Sequence, residues 1–287
     1  MSNRVFKGET TPIPAKLAPK IQQEIMNKIQ EKYPGLGYLF IGSVGKKGEG
    51  DFNGDIDIAI LCNNVQELEY MVKDVFGELS YYTIESLYIV SIKYPFILDG
   101  KQCYTQCDFM IMYYPDYTAF RYWCPNYANH ESNYKVGAKI MFANMVLNHC
   151  AEKNKNLNKD EVAKFDFRPT ALYRWVYKVG KNLYKEEYVT HDPKEIASYA
   201  FKDADTSHFN TVETLWDAIH TDNFKYPDEV AAIERNFFRN CFRKGWTSIL
   251  PENFTLKYNT IEDIYKVINQ QKVINEINRI GQQGKEI

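Results

Sequence analysis

The run Asp55-Ile56-Asp57-Ile58-Ala59-Ile60 constrains the fold of this chain more than any other segment. Its period is two, that of a β-strand, whose successive side chains point to opposite faces. Ile56, Ile58 and Ile60 therefore share a face that belongs in a core, while Asp55 and Asp57 share the other. Two carboxylates about 6–7 Å apart along one strand repel each other unless a cation lies between them. Ahead of this strand, Tyr38 to Ile41 reads as a short apolar strand that runs into Gly42-Ser43, and a Gly-rich loop separates the two. Gly42 carries no side chain, so the backbone there can approach a phosphate closely. Ser43 offers a hydroxyl and a backbone N–H. Hard divalent ions take oxygen ligands and also bind substrate phosphates. The stretch thus predicts a metal at Asp55 and Asp57 beside a phosphate-binding turn.

Other readings of the loop fit less well. Asp51-Phe52-Asn53-Gly54-Asp55 has the look of a calcium loop, but an EF-hand needs glycine sixth and a carboxylate twelfth. Here glycine is fourth and the twelfth residue is Cys62. Gly45, Gly48 and Gly50 precede a strand instead of the helix that a dinucleotide fingerprint requires. The P-loop ending is missing. A hairpin loop with merely solvated acids is disfavoured by the isoleucines that interleave them.

With 287 residues and 45% hydrophobic content, the chain suffices for one large domain or two ordinary ones. Its net charge of −2 argues against a protein whose main task is gripping long nucleic acid, since phosphate neutralisation drives that binding. The cysteines form no CxxC pair and no zinc spacing with histidine. Cys103 and Cys107 read as packed thiols. The five histidines, His130, His149, His191, His208 and His220, read as structural or surface residues, with no triad pattern. The first residues lack an apolar signal core and no run is long enough to span a membrane, so a cytoplasmic location is expected.

Along the chain, Leu17, Ile21, Ile25 and Ile29 make one apolar stripe of a helix ending before Pro34-Gly35. Val65 to Phe76 reads as a second amphipathic helix. Two β-rich runs, Tyr81 to Leu98 and Gln102 to Tyr113, flank Asp99-Gly100, a strong hairpin signal. This order describes a small mixed sheet with helices on one side. Beyond Asp116 the pattern is mostly helical, with segments expected at Tyr134–His149, Lys194–Phe201, Thr211–Ile219, Asp228–Phe242 and Ile261–Ile280. Between them, Phe165 to Lys178 alternates aromatic and basic residues. The expected class is α+β, with a mixed-sheet domain over residues 1–115 and a mostly helical one over 116–287.

A hydrophobic strand, Gly42-Ser43, a spacer and Asp55-x-Asp57 among hydrophobics together resemble the signature of the DNA polymerase beta-like nucleotidyltransferases. The resemblance covers about residues 35 to 113. It implies a third carboxylate on a later strand of the same sheet, for which Asp108 in Cys107-Asp108-Phe109-Met110-Ile111-Met112 is the candidate. It further implies transfer of a nucleoside monophosphate from an NTP donor to a hydroxyl, with two Mg²⁺ ions (Mn²⁺ in their place being possible) held by Asp55, Asp57 and Asp108. Two metals about 3.5–4 Å apart clamp the attacking and leaving oxygens of such a transfer. The helical part would close over the nucleotide. Lys46, in the loop, is a candidate for the triphosphate, as is Lys135 or Lys139, an i, i+4 pair in the region where the family places a basic residue.

The expected acceptor is an RNA 3′ end, tRNA included, along which Arg168, Arg174 and Lys178 with their aromatic neighbours would run. A small molecule, a protein side chain or a second NTP are the alternatives, and a nucleotide-binding module without turnover is the contrasting class. No membrane and no partner protein are expected.

Overall fold

The computed structural model describes residues 5–6, 8–45, 50–84, 88–122, 136–151, 161–178 and 184–244. The chain divides into two compact units, Met1–Lys225 and Tyr226–Ile287. The boundary expected at residue 116 therefore falls inside the first unit.

Early elements of the first unit are β1 (Ile13–Pro14), α1 (Ala18–Lys32), β2 (Tyr38–Ile41), β3 (Phe52–Asn53), β4 (Asp55–Leu61) and α2 (Val65–Phe76). They are followed by β5 (Tyr81–Ile84), β6 (Ile89–Leu98), β7 (Lys101–Met112), α3 (Pro115–Tyr122) and α4 (Val136–Ala151). Five strands form one mixed sheet in the order β2-β4-β7-β6-β5, and β1 pairs separately with β3. β4 and β7 are parallel, and the other neighbours are antiparallel. The β-rich run from Tyr81 to Leu98 is two strands, not one, because the chain folds back to set Ile84 opposite Ile89. At the β6–β7 turn, Asp99 and Gly100 both have positive φ, 50° and 75°, the conformation of a tight hairpin turn.

Ile56, Ile58 and Ile60 do lie on a core face, with Val90, Ile92, Cys107, Phe109 and Ile111 from the neighbouring strands. The apolar stripe of α1 (Ile21, Ile25, Ile29) and that of α2 (Leu68, Met71, Val72) cover this face. α2 starts where Asn64 accepts the Glu67 N–H at 2.8 Å while Glu67 accepts the Asn63 N–H at 2.8 Å, so donors at the helix start are paired. Cys103 and Cys107 are free thiols facing this core.

Helices were expected on one side of the sheet only, and the structure corrects this. On the opposite face, the row Ile41, Ala59, Ile89, Met110 and Met112 is buried under Tyr122 of α3, with Val136 and Ile140 of α4 packed against it. Strand β7 is thus apolar on both faces over its last residues, as a central strand between two helical layers must be.

The stretch from Glu161 also departs from expectation. β8 (Glu161–Phe167), β9 (Leu172–Lys178) and β10 (Tyr184–Thr190) form a three-stranded antiparallel sheet, order β10-β9-β8, inside the part expected to be mostly helical. Its inward side alternates: Ala163, Phe165 and Phe167 are buried, with the two-residue period of a strand. α5 (Pro193–Ala200), a 3₁₀ turn at Thr206–Phe209 and α6 (Val212–Ile219) complete the unit. Thr211 and Thr214 cap α6 reciprocally.

In the second unit, a 3₁₀ turn at Pro227–Glu229 leads into α7 (Val230–Arg243), whose Ile233, Phe237 and Cys241 are buried at helical spacing. The helix expected at Ile261–Ile280 lies outside the described residues. Among the described residues, no helix is long and apolar enough to cross a membrane.

Candidate functional site

Strand register builds the site. In the parallel pair β4–β7, Asp57 stands beside Asp108 and Asp55 beside Gln106. In the antiparallel pair β7–β6, Asp108 stands beside Ser91 and Gln106 beside Lys93. Neighbouring strands lie about 4.8 Å apart, so three carboxylates occupy adjacent positions of one sheet face. Asp55 and Asp108 are 8% and 7% exposed, and Asp57 is half-buried. They sit just beyond the part of that face which α3 and α4 cover.

β2 delivers the turn to the same place, since its last residue, Ile41, pairs with Asp57. Gly42 follows with φ 81°. A Cβ on Gly42 would stand 2.1 Å from Asp57 Oδ2, so the site requires glycine for both backbone conformation and space. Ser43 donates from Oγ to Asn53 Oδ1 at 3.2 Å, and Asn53 is fully buried on β3. Gln22 of α1 donates to the Asp57 carbonyl at 3.0 Å, tying the helix to the strand that carries the acids.

Asp108 has its own donors. Ser91 Oγ gives a hydrogen bond to Oδ1 at 2.6 Å, and Gln106 Nε2 contacts Oδ1 at 2.9 Å and Oδ2 at 3.1 Å. Burial pushes the Asp108 carboxyl up to about 6, the Ser91 and Gln106 hydrogen bonds pull it back, and the charge of Asp55 adds to the rise. The Cys107 thiol, on the core side, is raised by burial first and then by all three acids.

The acids fit a divalent cation. They offer hard oxygen ligands at neighbouring register positions of one sheet face. A fourth oxygen, Gln106 Oε1, is buried and has no hydrogen-bond partner among the described residues.

The other expected residues are placed differently. Lys139 is 3% exposed, and its Nζ donates to the Phe120 carbonyl at 2.5 Å, so it serves α3–α4 packing in this arrangement. Lys46 and Lys135 lie outside the described residues. Arg168 is held by Asp166 at 2.7 Å and by Glu186 through two bonds of 3.0 and 2.8 Å, and it lies over the rings of Tyr173 and Trp175. Arg174 is held by Glu187 at 2.6 Å. These two guanidiniums are bound within the small sheet.

Ser91, Gln106 and Asn53 were not anticipated. A signal was present for Ser91, a polar residue between Val90 and Ile92 on a strand, whereas Gln106 follows another polar residue, Thr105. One further cluster, Asp203, Asp205 and His208, gathers its ligand atoms within 4.8 Å at the surface. Its groups bond to one another and to the 3₁₀ turn: His208 Nε2 lies 3.0 Å from Asp203 Oδ2, and Asp205 accepts the Ser207 N–H at 2.9 Å. No protein-family model matches the chain, and no curated protein matches it.

Proposed function

We propose that this chain is a divalent-metal-dependent nucleotidyltransferase that moves a nucleoside monophosphate from an NTP to an acceptor hydroxyl. One observation carries the reading: Asp57 and Asp108 are register partners, with Asp55 beside them, directly against the backbone of Gly42. Asp55 and Asp57 would hold Mg²⁺ at the triphosphate, and with Asp108 a second ion at the acceptor. When bound, such ions neutralise the triphosphate and align the two oxygens of an in-line displacement. The Gly42-Ser43 backbone approaches the terminal phosphates and contributes the Ser43 N–H, while the Ser43 hydroxyl holds Asn53 beside the turn. Asp108, on the acceptor side, would receive the proton of the acceptor hydroxyl. The acceptor oxygen bonds to the α-phosphorus, the bond from that phosphorus to the bridging oxygen breaks, and pyrophosphate leaves.

An RNA 3′ end is the first acceptor to test. A small molecule or second NTP is the second reading, favoured by the engagement of Arg168 and Arg174 with carboxylates. The test incubates the protein with each α-³²P-labelled NTP, Mg²⁺ or Mn²⁺ and total RNA, beside Asp55→Asn. Label in RNA, dependent on Asp55, supports the first reading; label in a small product supports the second. Bound nucleotide with no transfer to anything defeats both.

A further inference from the structure

We propose that Gln106 is a fourth member of the metal centre, a neutral oxygen ligand that also positions Asp108. The inference rests on the metal-centre reading above. Gln106 is 1% exposed and stands beside Asp55 in the β4–β7 register. Its Nε2 contacts both oxygens of Asp108. An ionised carboxylate only accepts hydrogen bonds, so this contact fixes which end of the amide faces Asp108. Oε1 is thereby turned away from Asp108, and it is buried with no donor to meet it. A buried acceptor left unpaired is destabilising, and buried polar atoms in native proteins are satisfied with few exceptions.

Around Gln106 the register places three carboxylates, all acceptors, and Lys93. The Lys93 ammonium is directed to Glu9 at 2.7 Å and lies over the Tyr104 ring, and it makes no hydrogen bond to Gln106 Oε1. A cation is what a carbonyl oxygen and three carboxylates can satisfy in common. Amide carbonyls are ordinary ligands of hard divalent ions and add an oxygen without adding charge. Gln106 therefore accounts for both of its ends at once: Nε2 orients an acidic ligand before metal arrives, and Oε1 meets the metal.

The test uses full-length protein bearing ¹³C at the glutamine side-chain carbonyl, loaded with Mn²⁺ without nucleotide. Electron–nuclear double resonance on wild type is expected to show a ¹³C coupling of directly coordinated strength. Gln106→Glu keeps an oxygen at the position and is expected to bind Mn²⁺ without that coupling. Gln106→Met is expected to weaken Mn²⁺ binding about 10–100-fold. Ser91→Ala, which removes only a positioning hydrogen bond, is expected to keep the coupling. Mn²⁺ bound to wild type with no such coupling, or a coupling that survives in Gln106→Glu, overturns the assignment of Gln106 alone. Failure of wild type to bind Mn²⁺ at all overturns the metal centre itself and this inference with it. The wild-type spectrum decides the matter even if Gln106→Met fails to fold.

Discussion

Replacing Asp108 by asparagine should make the metal-free protein more stable while abolishing transfer. The folded carboxyl titrates at about 6 against an ordinary value of 3.8, burial being the main cause. A difference of about two pH units corresponds to about 3 kcal/mol of strain in the ionised folded state. Asparagine has the same shape and keeps an oxygen for Ser91 and for the closer Gln106 contact. Its NH₂ then faces Gln106 Nε2 at the other position, which forfeits a hydrogen bond of about 1 kcal/mol. The net gain is about 2 kcal/mol, or about 4–8 °C in melting temperature for a unit of this size. Because the folded carboxyl is raised, the wild-type fold holds this stability fully below about pH 4 and loses it as pH rises through about 6. Melting curves of wild type and Asp108→Asn from pH 4.5 to 8, without metal, should therefore diverge between those limits, with the variant ahead at pH 8. Saturating Mn²⁺ should raise wild type more than the variant, which keeps Asp55 and Asp57 but has lost one acidic ligand. A gap that is absent at pH 8, or equal at both ends of the range, refutes the argument.

Gly42→Ala must hold a left-handed backbone and place a methyl on Asp57, so both melting temperature and nucleotide affinity should fall; a fluorescent NTP titration beside a melting curve checks this, and wild-type values contradict it. Ser43→Ala leaves the buried Asn53 Oδ1 without its donor, at a cost of about 1–3 kcal/mol, and should also weaken nucleotide binding. Denaturant unfolding and the same titration report the two effects separately. A double-mutant cycle of Arg168→Ala and Glu186→Ala should give a coupling of about 0.2–1 kcal/mol in stability. RNA binding by filter retention should be unchanged in Arg168→Ala, and a large loss there would return that arginine to the acceptor path.

What could be read in advance was local. α2 and β4 have the bounds that capping and two-residue alternation imply, and Asp99-Gly100 makes its turn. The helical covering of the acid face was less visible, although Phe109-Met110-Ile111-Met112 has no polar face and so needs cover on both sides. Lys139 was put forward for its i, i+4 pairing with Lys135 and its region of the chain; its burial follows from sharing a helix face with Ala138, Phe142, Ala143 and Val146, which the pairing does not reveal. Ser91 reaches Asp108 only through pairing across strands, which no single segment encodes, whereas Gln106 shares its strand face two residues before it. Arg168 and Arg174 looked like free charge because Glu186 and Glu187, their partners, lie on the next strand of a sheet read as helix or strand alike.

Strand β7 is the last of the five to leave the ribosome, yet it occupies the middle of the sheet. Until it inserts, β4 and β6 face each other as unpaired edges, and Asp57 has no Asp108 beside it. The hairpin it forms with β6 is local and quick to close, but the parallel docking onto β4 joins segments distant in sequence. Electrostatic crowding is thus deferred to the step that completes the sheet, when burial of the strand's apolar residues is available to offset it. A chain interrupted before Lys101 would expose two sticky edges and assemble no acid cluster, so premature release should yield aggregation instead of partial activity.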